Sequence, residues 1–131
     1  MRPVVVRRLT SCVLVAAAAA LVAIPATSAK DGDVLVRGTC TKASSSKLKL
    51  SPEDGRIEVE FEVDQNRNGV RWTVSLSRPT RVVFRGTRIT RAPSGSFELR
   101  RVVSDTAGSD RLTARATSPS GEVCRATAAF S

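Results

Sequence analysis

The chain has no histidine and no tyrosine, a single tryptophan, and beyond Cys12 only two cysteines, Cys40 and Cys124. Without histidine there is no Ser-His-Asp or Cys-His catalytic pair and no histidine-based zinc site. No Cys-x-x-Cys is present, which removes the usual dithiol redox motif. A glycine-rich phosphate loop is also missing. Outside the N-terminal leader no segment repeats its apolar residues every 3.6 positions, so amphipathic helices are not expected. What is left for catalysis is carboxylates and serines without an identifiable partner.

The leader itself is distinct. Arg2, Arg7 and Arg8 precede an apolar run from Cys12 to Ile24, and Thr27-Ser28-Ala29 supplies small residues for cleavage. The run is shorter than the roughly 20 residues a spanning helix needs, and the pattern is that of a secretory signal peptide over residues 1–29. Cys12 precedes the apolar run rather than following it, which speaks against lipid attachment. Thr10 and Ser11 follow Arg7-Arg8 where a twin-arginine signal needs apolar residues, so general secretion is expected. Removing Arg2, Arg7 and Arg8 from 21 basic residues leaves 18 against 12 acidic ones, a moderately basic exported chain.

In that chain Cys40 and Cys124 form an even pair, and an exported pair is expected to form a disulfide. The bridge would close most of the domain and tie the first strand to the last. It is read as a structural staple.

Alternation of apolar and polar residues dominates the rest. Ile57, Val59, Phe61 and Val63 share one phase against Glu58, Glu60, Glu62 and Asp64; Val70, Trp72, Val74 and Leu76 share another against Arg71, Thr73, Ser75 and Ser77. A period of two buries one set and exposes the other. Between them Gln65-Asn66-Arg67-Asn68-Gly69 carries an Asn-Gly turn dipeptide, so Arg56 to Ser77 is expected to form a β-hairpin. Further strands are expected over Lys47–Leu50, Thr80–Arg85, Ser96–Val103, Arg111–Thr117 and Glu122–Phe130, with Lys30 to Gly38 as a loose lead-in or edge strand. Short strands with turns every 8 to 12 residues point to an all-β, antiparallel two-sheet sandwich of immunoglobulin or fibronectin type. The domain is placed at residues 40–131 after a lead-in at 30–39. All five aromatic side chains (Phe61, Trp72, Phe84, Phe97 and Phe130) fall on core phases.

The run KLKLSPEDGRIEVEFEVDQNRNGVRW, together with TRAPSGSFELRRVV and the late Cys124, resembles small secreted immunoglobulin-like β proteins of high-GC Gram-positive bacteria. The resemblance implies fold and export, and no established activity.

Three groups of residues carry possible chemistry. Asp64, Asn66 and Asn68 with the Val70 carbonyl match the opening of a calcium loop, but Ser75 stands where the closing glutamate belongs. The competing reading is a turn held by its own side chains. Glu58, Glu60 and Glu62 resemble an acid–base row, yet Lys47, Lys49 and Arg100 on the expected neighbouring strands make an ion-pair ladder the simpler account. Arg78, Arg81, Arg85, Arg88 and Arg91, continued by Arg100 and Arg101, offer a basic stretch for a polyanion such as a cell-wall polymer, although an arginine-rich surface that serves solubility is the simpler account. Nucleic acid is disfavoured because no aromatic is free to stack on bases.

The expected function is therefore a non-enzymatic secreted module, extracellular or at the cell envelope, whose partner is an envelope protein or an anionic wall polymer. The loops at 86–95 and 65–69 are its expected contact surfaces. The alternatives are a calcium-dependent or polyanion-binding domain and a small carboxylate enzyme. No cofactor is required.

Overall fold

Alternation dictates strands throughout residues 32–131, the part of the chain that the computed structural model describes. The expected signal peptide, residues 1–29, lies outside the described residues. The strands are β1 (Val34–Arg37), β2 (Thr39–Cys40), β3 (Ser45–Glu53), β4 (Arg56–Asp64), β5 (Arg71–Arg78), β6 (Arg81–Ile89), β7 (Ser96–Ser104), β8 (Asp110–Thr117) and β9 (Val123–Phe130). They form two antiparallel sheets, ordered β1-β3-β4-β7 and β2-β9-β8-β5-β6. Among the described residues no helix is long and apolar enough to cross a membrane.

The inward phases meet in one core. Ile57, Val59, Phe61 and Val63 of β4 and Leu48 and Leu50 of β3 come from one sheet. Trp72, Val74 and Leu76 of β5 join them from the other, with Leu112, Ala114 and Ala116 of β8. The Trp72 and Phe97 rings stand 6.0 Å apart, tilted at 54°, and link the sheets. Each large apolar side chain buried here contributes on the order of 1.5–3 kcal/mol.

The expected Arg56–Ser77 hairpin is not formed. Its two strands do alternate as read, but β4 pairs with β3 and β7 whereas β5 pairs with β6 and β8. The segment between them crosses from one sheet to the other. The true tight hairpin lies just upstream, where Asp54 and Gly55 both take positive φ (47° and 74°) between Glu53 and Arg56. Two adjacent positive-φ residues are the type I′ signature, and glycine adopts the second without steric cost. In the crossover, Asn66 and Gly69 also take positive φ, but the residues between them lengthen the connection. The extra length lets the chain step to the opposite sheet.

A second crossover, from β6 to β7, docks against the first. Gly69 N–H donates to the Thr90 carbonyl, Thr90 N–H to the Val70 carbonyl and Gln65 N–H to the Gly95 carbonyl. Gly95 sits so close that a Cβ there would lie 2.2 Å from the Arg67 nitrogen. The two loops satisfy several of each other's backbone groups. Asn66 to Gly69 and Arg91 to Ser94 nevertheless stay exposed, while residues 86–89 belong to β6 itself.

The lead-in is part of the fold: β1 pairs with β3, Val36 opposite Leu48, before the chain passes to the other sheet as β2. The disulfide joins Cys40 to Cys124 across the directly paired strands β2 and β9, with Cα atoms 4.1 Å apart. The bridge thus leaves from the second described strand rather than the first. Phe61, Trp72, Phe97 and Phe130 are buried as expected. Phe84 is only partly buried, because β6 is a sheet edge and its ring closes the side of the sandwich instead of the centre.

Candidate functional site

The two outer faces of the sandwich differ in charge. On the β1-β3-β4-β7 face, Glu58, Glu60 and Glu62 project beside lysines and an arginine. Lys47 lies 3.3 Å from Glu62, Lys49 3.6 Å from Glu60, and Arg100 2.6 Å from Glu58 and 3.8 Å from Glu60. This is the ion-pair ladder expected from the sequence. The Glu58 hydrogen bond raises the Arg100 pKa, and the nearby charge of Glu60, with Asp33, raises that of Lys49. Each ladder carboxylate has a basic neighbour within 4 Å, although Glu62 also stands opposite Glu98 of β7.

The opposite face, formed by the outward phase of β6, β5, β8 and β9, carries Arg85, Arg71, Arg111, Arg115 and Arg125 among threonines and serines. No strand residue of this phase is acidic, and among the described residues none of the five arginines is ion-paired. All five are exposed. Sheet register lines three of them up: Ser75 stands opposite both Arg85 and Arg115, and Arg115 stands directly opposite Arg125. Like charges paired across strands destabilise a sheet by a few tenths to about 1 kcal/mol. Between the rows, Thr113 and Thr127 share a hydrogen bond of 2.9 Å.

The basic residues singled out from the sequence are dispersed rather than gathered. Arg85 alone of the five lies on this face. Arg78 turns inward, its guanidinium paired with Asp110 and bonded to the Ser104 carbonyl. Arg88 and Arg101 lie on the inward phase of the two edge strands, 5.5 Å and 4.7 Å from the centroid of the Phe84 ring. Arg81 is exposed at the start of β6, and Arg91 in the second crossover. The residues missed were Arg71, Arg111, Arg115 and Arg125. Their outward phase was readable; the strand order that makes neighbours of them was not.

The candidate calcium residues lie in the first crossover. Asp64 Oδ1 accepts from Asn66 N–H at 3.0 Å, an Asx turn, and the Val70 carbonyl accepts from Thr90 N–H at 2.9 Å. Thr90 Oγ1 donates to the Arg67 carbonyl and accepts from Val70 N–H. Gln65 Oε1 accepts from Trp72 Nε1 at 3.1 Å. Asp64 and Val70 are thus already engaged by the crossover's own bonds.

Two buried carboxylates have structural partners. Asp110 accepts from Thr106 Oγ1 and Thr106 N–H as well as from Arg78. Led by the Thr106 hydroxyl bond and against the cost of burial, these partners hold its pKa down to about 2. Glu122, next to the disulfide, accepts from Ser44 Oγ at 2.5 Å and from the Lys42 and Ser44 N–H groups. It pins the segment after β2 to the last hairpin.

In comparisons with known proteins, no family model, no curated protein and no solved structure matches the chain.

Proposed function

We propose that the protein is a non-enzymatic, secreted binding module that holds an anionic polymer of the cell envelope on its arginine face. The carrying observation is the one-sided charge. Arg71, Arg85, Arg111, Arg115 and Arg125 project from a sheet face whose outward strand positions carry no acidic residue, while the ladder carboxylates occupy the other face. Unpaired guanidiniums in rows suit phosphate or carboxylate groups repeated along a chain, and the intervening hydroxyls can donate to the same oxygens. The mutual repulsion of Arg115 and Arg125 is relieved when an anion lies between them.

Several features support the wider reading. The order β9-β8-β5-β6 opposed to β4-β7 suits an immunoglobulin- or fibronectin-like domain, a scaffold that serves recognition in many settings. The leader and the disulfide fit export. The resemblance to small secreted β proteins of high-GC Gram-positive bacteria points the same way.

The test is retention on immobilised poly(glycerol phosphate) or heparin at rising salt. Wild type should elute late, and Arg115→Glu/Arg125→Glu should elute much earlier, with the salt slope reduced by about one unit per lost contact. Arg37→Glu, placed on the opposite face, should elute later than a single Arg115→Glu despite the same change in net charge. Equal elution of those two variants would mean that net charge alone governs retention and would end the proposal.

A further inference from the structure

The edge strands β6 and β7 lie alongside each other, in different sheets, at the open side of the sandwich. A groove of about 400 Å³ opens at one end of this seam, a volume within the range of small-ligand sites. Its apolar wall is formed by valines. Val82 and Val102 are 50% and 40% exposed, two of the three exposed large hydrophobics among the described residues, with Val83 and Val103 half-buried beside them. Val83 is the extra residue of a bulge: Leu76 pairs with Phe84 and Ser77 with Val82, so two consecutive side chains of β6 reach the groove instead of alternate ones.

The polar rim is cationic. Arg56 and Arg81 are exposed there and form no ion pair among the described residues. Arg78 also lines the groove with a side chain only 9% exposed. One terminal nitrogen goes to Asp110, the other to the Ser104 carbonyl, and its buried Nε has no partner. Asp110 balances the charge of Arg78, and the surplus positive charge comes from Arg56 and Arg81.

We infer that this groove binds a single-chain amphiphile with an anionic head, its alkyl chain on the four valines and its carboxylate or phosphate oxygens at Arg81 and Arg56. The site is separate from the arginine face and does not depend on it. Charge complementarity selects the head and the valines select the tail; neither alone accounts for both walls.

Isothermal titration of the protein with dodecyl phosphate, dodecanoate and dodecyltrimethylammonium, each below its micelle concentration, tests this. One site per chain is expected, with both anions at least tenfold tighter than the cation and than inorganic phosphate. Val82→Ser/Val102→Ser should weaken dodecyl phosphate at least tenfold and Arg81→Gln severalfold, whereas Arg115→Glu should leave it unchanged. Thermal melts check that the variants fold; all four substituted positions are exposed. Equal binding of the cationic amphiphile, affinity no better than that of inorganic phosphate, or indifference to the valine pair would overturn the inference. So would binding to phosphatidylglycerol vesicles without binding to monomeric dodecyl phosphate, because the site would then recognise a membrane surface.

Discussion

The guanidinium of Arg101 lies 4.7 Å from the centroid of the Phe84 ring, joining β7 to β6 across the open side of the sandwich. Register explains the contact. Arg101 stands opposite Val59 and Phe84 opposite Leu76, so both point inward from the edge strands of opposing sheets. An inward position at an edge is apolar on one side and wet on the other. A long side chain with an apolar stem and a charged end suits it.

That contact has a measurable energy. In a double-mutant cycle, Phe84→Leu and Arg101→Gln should couple by about 0.5–1 kcal/mol in urea unfolding. Additive losses would mean that the two side chains only share an address.

The docked crossovers make a second prediction. Gly95→Ala adds a Cβ against the Arg67 backbone at a φ of 68°, and should cost about 3 kcal/mol or more. Gly55→Ala, also at positive φ but with open space around it, should cost about 1 kcal/mol. Similar losses at the two sites would show that the loops do not touch in solution.

Much of this was legible beforehand, and the reasons for the exceptions are specific. Which residues of β4, β5, β8 and β9 turn inward follows from period two alone. Hence the core, the ladder of Lys47, Lys49 and Arg100 with the glutamates, and the last hairpin were all accessible. The Gln65–Gly69 connection reads as a hairpin turn from sequence because Asn-Gly marks positive φ, not the sheet to which the next strand goes. Asp54-Gly55, by contrast, has the two-residue length that forces its strands together. Arg78 looked like one more surface cation, since its partner Asp110 lies 32 positions away in sequence. The arginine face belongs to the same class: four strands contribute to it, and their order is a property of the folded sheet.

Acid should weaken the fold through Asp110. Its pKa of about 2 lies below the ordinary 3.8, so the unfolded chain takes up the proton more readily. The stabilisation is complete above about pH 4 and is lost as pH falls towards 2, on the order of 2 kcal/mol from this residue. Asp105, whose pKa the Asp110 hydrogen bond raises, acts in the opposite sense and reduces the total. Urea midpoints across this range should fall in wild type and fall less steeply in Asp110→Asn; parallel curves would remove Asp110 from the account.

The disulfide closes a loop of 84 positions, for which the chain-entropy model gives about 4–5 kcal/mol. Cys40→Ser/Cys124→Ser should therefore unfold at markedly lower urea, and reducing agent should shift wild type by a similar amount. A variant as stable as wild type would mean that the pairing of β2 with β9 and the Glu122 bonds hold this end without the sulfurs.

The unequal charge of the two faces, one basic and one balanced by ion pairs, gives the domain a preferred orientation. Laid on a negatively charged support, copies would settle with the arginines down and the glutamate–lysine ladder outward, so the coated support would present a uniform exterior of paired ions. A layer built this way would hide its own attractive side and offer newcomers little reason to stack on top.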